Sequence, residues 1–257
     1  MVLTAKVAPD QLPLPWLRPA RQKRAQKRAQ KRAKRRGPKP RAHGRVAHRA
    51  RPAHKGRHPV HVTLRARHGL PSFRQQLVHA LVLRVLRDQR KRAYGSTFQI
   101  VHFSIQSNHL HMVVEAEDGP TKSLTTSSTK NALRAGVSGF VIAFAKRLNA
   151  LLHRKGKVWD DRYHRRDLAS PLEVKSTLRY VLNNQRKHGH VTIGRGSFDY
   201  YSSAQHFDGW SEPLFAYFAE PEPWTETRPR TWLLGVGWRR HGLISPAEVP
   251  GARSVRG

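Results

Sequence analysis

The clearest pattern in the chain is a strand-like alternation of apolar and polar positions over residues 107–115. Leu110 and Met112 fall on one face of such a strand, and His109 and His111 fall on the other. The two imidazoles are then about 7 Å apart along the strand, at a rise of roughly 3.3 Å per residue. That spacing allows both to bind one metal ion.

A His-x-His pattern is weak evidence for a metal site on its own. The chain has 16 His among 257 residues, so the pattern should arise by chance roughly once. It occurs a second time at residues 188–190, after a predicted helix and with no strand around it. The strand context favours the pair at His109 and His111, and the case for metal chemistry depends on what else the chain supplies.

Similar patterns predict the other elements. Residues 60–67 alternate in the same way, and they predict a half-buried strand whose outer face carries His61, Arg65 and Arg67. The remaining patterns predict a helix from the Ser72–Gln75 capping box to about Arg92, a strand over 97–106, a helix over about 130–153 interrupted near Gly136 and Gly139, a strand over 162–169, and a final helix that ends at Gly189.

The order strand-helix-strand-strand-helix-strand begins with the βαββαβ pattern of the ferredoxin-like fold. This is an α+β architecture with an antiparallel sheet and helices on one face. The third strand is interior in this arrangement, and its apolar residues are needed for the core. We therefore expect its imidazoles on the open face, beside the basic residues of the first strand.

The last helix has the clearest end signals. Ser170 is its N-cap, Pro171 occupies the first position and Glu173 completes a capping box. At 100° per residue, Tyr180 and Asn184 lie about 40° apart on this helix, beside its apolar stripe.

Charge divides the chain into three parts. Residues 1–57 read as a disordered basic arm, because residues 18–57 hold 18 Lys/Arg, no acid and almost nothing apolar. Residues 58–190, the predicted folded domain, hold 23 Lys/Arg and 8 Asp/Glu, a net charge of +15. Residues 191–257 hold equal numbers of basic and acidic residues and are predicted to form an irregular Trp-rich extension. We expect its aromatic residues to pack in a core rather than stack on bases. A basic folded domain indicates a polyanionic partner, with nucleic acid favoured over a membrane surface.

The absence of Cys excludes disulfides and Cys-based zinc sites, and it fits a cytoplasmic protein. No stretch of about 18 apolar residues is present, so we expect no membrane span. These observations leave nucleic-acid binding and nucleic-acid chemistry as the main function classes.

Three motifs carry a resemblance to a known family: residues 108–111 (Asn-His-Leu-His), residues 159–164 (Trp-Asp-Asp-Arg-Tyr-His) and residues 178–184 (Leu-Arg-Tyr-Val-Leu-Asn-Asn). Over about residues 58–190 the chain resembles the single-tyrosine transposases of the HUH endonuclease superfamily, in particular the REP-associated tyrosine transposases of bacteria. Residues 136–139 (Gly-Val-Ser-Gly) also resemble a Gly-x-x-Gly element of these proteins. The arm and the extension are outside the resemblance.

The resemblance implies cleavage and rejoining of single-stranded or hairpin DNA. Tyr180 would attack a phosphodiester and form a 5′-phosphotyrosine link, while His109, His111 and Asn184 would hold Mg²⁺ or Mn²⁺. A phenol with a pKa near 10 needs such electrostatic help, and this neutral ligand set does not repel the DNA backbone. Members of the family act as monomers or as homodimers that exchange tyrosine helices.

Two questions remain open in the sequence. Arg65, Arg67, Arg162 and His164 are expected to bind DNA phosphates, and Tyr163 lies among them as a rival nucleophile without an amide one helical turn away. The chain could also be a non-catalytic single-stranded DNA or RNA binder on the same fold, or a domesticated relative that still binds hairpin DNA. His rather than Phe or Tyr on the outer strand positions favours metal chemistry over base stacking.

Overall fold

A computed structural model describes residues 51–91, 96–118, 120–121, 130–187, 198–214 and 227–250. Its strands are β1 (Val60–Arg65), β2 (Phe98–Ile105), β3 (His109–Ala116), β4 (Pro120–Thr121), β5 (Lys130–Asn131) and β6 (His164–Asp167). Its helices are α1 (Gln76–Arg90), α2 (Ala132–Leu151), α3 (Pro171–Leu182), α4 (Asn184–Lys187) and α5 (Trp232–Gly235), with 3₁₀ turns at Ser203–His206 and Gly237–His241.

The main sheet has the strand order β2-β3-β1-β6, and every neighbouring pair is antiparallel. This order confirms the α+β, ferredoxin-like prediction, including the interior position of β3. Strands β4 and β5 pair separately as a short antiparallel ladder.

The first hydrophobic core lies between the sheet and the helices α1 and α2. The inward residues of β1 and β3 are fully buried there, as the period-2 pattern predicts. Helix α2 contributes Phe140 and Phe144, and α1 contributes Val82 and Val85. One face of the sheet is therefore covered by two helices, as expected for this fold.

A second core on the opposite face of the sheet was not predicted. Val113 of β3 packs there with Val174, Leu178 and Val181 of α3, together with Trp238 from the C-terminal extension. Much of the face that was expected to be open is therefore covered. Core packing, expected for the tryptophans of the extension, is confirmed for Trp238, at 1% exposure, but not for Trp232, at 50% exposure. Trp224 lies outside the described residues.

Two helix predictions need correction. The Ser72 hydroxyl accepts a hydrogen bond from the Arg74 N–H at 3.2 Å and stabilises a turn, so α1 begins only at Gln76. Helix α2 runs through Gly136 without interruption. A Cβ at this position would lie 2.1 Å from Cγ of Phe98, so the glycine serves close packing of the helix on β2 and does not break it.

The start of α3 agrees with the sequence. The Ser170 hydroxyl accepts from the Glu173 N–H at 3.3 Å, and the Glu173 carboxylate accepts from the Ala169 N–H at 2.8 Å. The helix ends at Leu182 instead of continuing to Gly189, which lies outside the described residues.

A buried carboxylate anchors the C-terminal extension to the sheet. Glu115 of β3 is 2% exposed and accepts from the Gln99 side chain at 2.6 Å. It also accepts from the Arg230 N–H at 2.8 Å and from both the N–H and the hydroxyl of Thr231, at 2.9 and 2.7 Å. Glu115 therefore has a structural role.

The predicted basic arm falls outside the described residues as far as residue 50. Its last residues, 51–57, pack on the domain: His54 is buried with Nε2 3.0 Å from the Ala116 carbonyl, and the Arg51 guanidinium lies 4.0 Å from the centroid of the Tyr163 ring. Packing therefore begins before the predicted boundary at residue 57. Within the described ranges, no helix has the length and apolar character needed to cross a bilayer.

Candidate active site

The two imidazoles of β3 lie side by side on the sheet face opposite α1 and α2. Because Leu110 and Met112 fill the first core, His109 and His111 point to the other face, as the alternation predicts. Their ring centroids are 4.8 Å apart and the rings are nearly perpendicular. His111 is buried, at 4% exposure, whereas His109 at the end of the strand is partly exposed.

The register of β1 against β3 places Thr63 directly opposite His111. The Thr63 hydroxyl lies 3.1 Å from Nδ1 of His111, and Nε2 of His61 lies 3.2 Å from the same atom. The second imidazole is engaged in a similar way, because Nδ1 of His109 donates to Oδ1 of Asn108 at 2.8 Å. In both rings Nδ1 therefore has a partner suited to an Nδ1–H tautomer, and Nε2 is then the basic nitrogen.

His61 is neutral at physiological pH. Burial and the nearby Arg166 guanidinium lower the pKa of His61 to about 4. A neutral imidazole at this position can accept a hydrogen bond from His111 without adding charge to the site.

Helix α3 brings Tyr180 of the same chain to the imidazoles. The Tyr180 hydroxyl is 3.5 Å from Nε2 of His111, and the two rings meet edge to face with centroids 5.1 Å apart. The His61 ring also lies against Tyr180, at 6.0 Å between centroids. Burial raises the pKa of Tyr180 above its ordinary value, so the phenol is protonated at neutral pH.

The C-terminal extension fixes α3 from its outer side. Lys175 donates to the His241 carbonyl at 2.5 Å, and Nδ2 of Asn183 donates to the Ser245 carbonyl at 3.0 Å. The helix is thus held between the sheet and the extension of its own chain, and this contact sets where Tyr180 points.

Asn184 follows α3 and begins α4. Its side chain is fully buried, and neither Oδ1 nor Nδ2 has a hydrogen-bond partner among the residues that the structure describes. Buried amides normally have hydrogen-bond partners, and a buried amide that lacks one destabilises the folded state by about 1–3 kcal/mol. Because α3 ends at Leu182, Asn184 does not share one continuous helix with Tyr180, although the sequence predicts that it should. An unsatisfied amide oxygen four residues after that tyrosine is still the kind of group that a bound ion would satisfy.

The chemistry of these donors is compatible with a divalent ion. Two imidazole Nε2 atoms and an amide oxygen would make a neutral ligand set with open positions, which suits Mn²⁺ and could be met by Mg²⁺ with its preference for oxygen. Among the described residues there is no group of three or more His, Asp or Glu that could hold a metal. A third protein ligand in this part of the chain would therefore have to be of another type, such as the Asn184 amide.

The residues predicted to bind DNA divide between two surfaces. Arg65 is exposed and lies opposite His109 in the β1–β3 register, and His164 is exposed and lies opposite Thr63 in the β1–β6 register. Both therefore share the face of the imidazoles. Arg67 is exposed just beyond β1, with its N–H bonded to the Val158 carbonyl at 2.8 Å.

Arg162 belongs to a second surface. It lines a cleft of about 640 Å³ beside α2, together with Arg51, Arg134, Tyr163 and Arg165. The inward-facing Leu64 also lines this cleft, which places it on the other side of the sheet from the imidazoles. Tyr163, the rival nucleophile, therefore lies away from the imidazole pair, beneath the Arg51 guanidinium.

Sequence reasoning missed the roles of His61 and Thr63. Both were assigned to the outer face of β1, but the contact with Nδ1 of His111 depends on the β1–β3 register. A sequence signal existed in the shared periodicity of the two strands, which limits but does not fix that register.

The chain is similar to the structure of a REP-associated tyrosine transposase bound to a REP hairpin, with 12% identity, coverage of 72% of this chain and 99% of that chain, and a TM-score of 0.46. It is also similar to a candidate transposase from Deinococcus radiodurans R1, with 14% identity, coverage of 43% and 78%, and a TM-score of 0.32. No family model and no curated protein matches the sequence.

Proposed function

We propose that the protein is a metal-dependent single-stranded DNA endonuclease and strand transferase of the transposase type, with Tyr180 as its nucleophile. The observation that carries this proposal is the 3.5 Å approach of the Tyr180 hydroxyl to Nε2 of His111, beside His109. A partly buried tyrosine hydroxyl usually has a hydrogen-bond partner, and a partner that belongs to a pair of adjacent imidazoles is also what a metal-assisted nucleophile would require.

In this reaction the Tyr180 oxygen forms a bond to phosphorus as the bond from phosphorus to the 3′ oxygen breaks. The phenol loses its proton, the departing 3′ oxygen gains one, and a 5′-phosphotyrosine link remains. Attack by a free 3′-hydroxyl reverses the step and rejoins DNA. Positioning of the phenol is the part of the catalysis that this chain supplies through α3.

His109, His111 and Asn184 would hold Mg²⁺ or Mn²⁺. When bound there, the ion would supply Lewis-acid stabilisation of charge on a non-bridging phosphate oxygen. The contacts at Nδ1 of His109 and His111, which leave Nε2 as the nitrogen available to an ion, and the unsatisfied Asn184 amide support this assignment.

DNA would reach the site across a basic surface. Arg65 and His164 flank the imidazoles and are suited to the phosphates of the cleaved strand, with Arg67 beyond them. The separate cleft around Arg162 and Arg134 would hold other phosphates of the same single-stranded or hairpin DNA.

We further propose that the protein acts with the tyrosine of its own chain and needs no partner subunit for cleavage. The support is the attachment of α3 to its own sheet and extension through Val181, Lys175 and Asn183. Exchange of α3 between two copies would require these contacts to break.

The decisive experiment incubates purified protein with a labelled single-stranded hairpin oligonucleotide and Mn²⁺, and separates products on a denaturing gel. A covalent protein–DNA adduct is expected for the wild type and for Tyr163→Phe, but not for Tyr180→Phe, which should still bind the oligonucleotide. Binding without any adduct in the wild type would instead favour the alternative, a non-catalytic nucleic-acid binder, which the basic cleft around Arg162 could also serve.

A further inference from the structure

Two side chains of β1 contact the candidate metal ligand His111 on the nitrogen that faces away from Tyr180. Thr63 Oγ1 and His61 Nε2 lie 3.1 and 3.2 Å from His111 Nδ1. The opposite ring nitrogen, Nε2, faces the Tyr180 hydroxyl at 3.5 Å. The imidazole of His111 is thus held at both ends, by strand β1 on one side and by helix α3 on the other.

We propose that His61 and Thr63 are positioning residues that fix His111 as the Nδ1–H tautomer and so direct the lone pair of Nε2 into the site. This proposal deepens the proposed function, on which it rests for the role of His111. Neither residue is assigned a contact with DNA or with the ion.

An ion on Nε2 of His111 would need the ring proton on Nδ1, and the contacts at Nδ1 allow this. The Thr63 hydroxyl can accept a hydrogen bond from Nδ1–H, and so can Nε2 of a neutral His61 that carries its own proton on Nδ1. We infer this combination of tautomers because it turns the Nε2 lone pair of His111 towards the Tyr180 hydroxyl. Metal-binding histidines commonly donate their other N–H to such a partner, which sets the ring orientation.

The two contacts are redundant, and this redundancy gives a specific prediction. If Thr63 is changed, His61 still accepts the Nδ1–H bond, and the reverse also holds. Thr63→Val and His61→Phe should each lower the affinity for Mn²⁺ less than 10-fold, whereas the double variant should lose about 10- to 100-fold. The loss in the double variant should exceed the product of the single losses, because each single variant keeps one of the two contacts with Nδ1 and the double variant keeps neither.

The main test measures Mn²⁺ binding to the metal-free protein by calorimetry, without DNA. Thr63→Ser keeps the hydroxyl and should restore affinity to within a few-fold of the wild type. His68→Phe, an exposed histidine in the turn after β1, is the matched control and should change nothing. Thermal unfolding and oligonucleotide binding in EDTA show whether each variant is folded.

A second measurement reads the tautomer directly. Long-range proton–nitrogen spectra of the ¹⁵N-histidine-labelled, metal-free wild type should show His111 as Nδ1–H, and the double variant should lose that preference. An Nε2–H tautomer in the wild type, or a folded double variant that binds Mn²⁺ as the wild type does, would overturn the proposal.

The proposed function and the positioning role of His61 and Thr63 can be refuted separately. If the wild type forms no DNA adduct, the proposed function is wrong, yet the tautomer spectrum still tests whether His61 and Thr63 hold His111. If the wild type cleaves DNA and the double variant binds Mn²⁺ unchanged, only the positioning proposal is lost.

Discussion

Asn183 and Asn184 are adjacent, buried asparagines with opposite expected behaviour. Asn183 is 4% exposed and donates to the Ser245 carbonyl at 3.0 Å. Asn184 is 0% exposed, and within the described part of the chain neither polar atom of its side chain has a partner. We expect Asn184→Ala to remove activity without a loss of stability, and Asn183→Ala to remove stability without a loss of the chemical step.

The magnitudes follow from the contacts. Removing the Asn184 amide relieves an unsatisfied buried polar group worth about 1–3 kcal/mol, and this relief offsets the packing lost with its three side-chain heavy atoms. Asn184→Ala should therefore unfold within about 1 kcal/mol of the wild type. Asn183→Ala loses one hydrogen bond and leaves the Ser245 carbonyl without that donor, which should cost about 1–3 kcal/mol.

Metal binding gives the second readout. A ligand at 100 times its dissociation constant stabilises the folded state by about 2.7 kcal/mol. At such a concentration, Mn²⁺ should raise the free energy of unfolding of the wild type and of Asn183→Ala by about 2.7 kcal/mol. The free energy of unfolding of Asn184→Ala should rise by much less. Chemical denaturation with and without Mn²⁺, followed by the hairpin adduct assay, measures both effects.

Either of two results would refute this reasoning. One is an Asn184→Ala variant as destabilised as Asn183→Ala, because the amide would then have a structural partner. The other is an Asn184→Ala variant that forms the adduct with the metal dependence of the wild type, because the residue would then have no role at the ion.

Three further outcomes are expected elsewhere in the domain. Gly136→Ala should destabilise the protein by about 2 kcal/mol although alanine favours helices, because its Cβ would meet the Phe98 ring. Urea unfolding measures this loss. The control Gly235→Ala should be nearly neutral, because the nearest atom to its added Cβ is 3.7 Å away. Glu115→Gln should cost about 3 kcal/mol, since an amide nitrogen replaces an acceptor among four donors, and equal stability of this variant in urea would contradict the anchoring role. Burial, opposed by Asp208, lowers the pKa of His102 to about 4, so the unfolded chain binds a proton there that the folded chain does not. Stability should fall as pH drops from 6.5 towards 4, and His102→Leu should reduce that slope by about 1.4 kcal/mol per pH unit.

The sequence alone determined the features that depend on local periodicity. Alternation placed His109 and His111 on one face of β3, the element order predicted the ferredoxin-like sheet that the structure confirms, and Ser170 with Glu173 marked the start of α3. The alternation and the cap follow from backbone geometry within about ten residues, so neighbours in sequence are sufficient to specify them. The fold prediction follows from the order of such local patterns along the chain. The roles of Tyr180 and Asn184 stay predictions.

Only the tertiary structure decided which side chains meet. The β1–β3 register brought Thr63 and His61 to Nδ1 of His111, and a slip of one residue would have turned them to the other face. The position of Tyr180 beside His111 depends on packing of α3 between the sheet and the C-terminal extension, and the continuity of α2 through Gly136 depends on the Phe98 ring of β2. These contacts join residues tens of positions apart, and their energies exist only once the chain has folded, so no pattern within a short window encodes them.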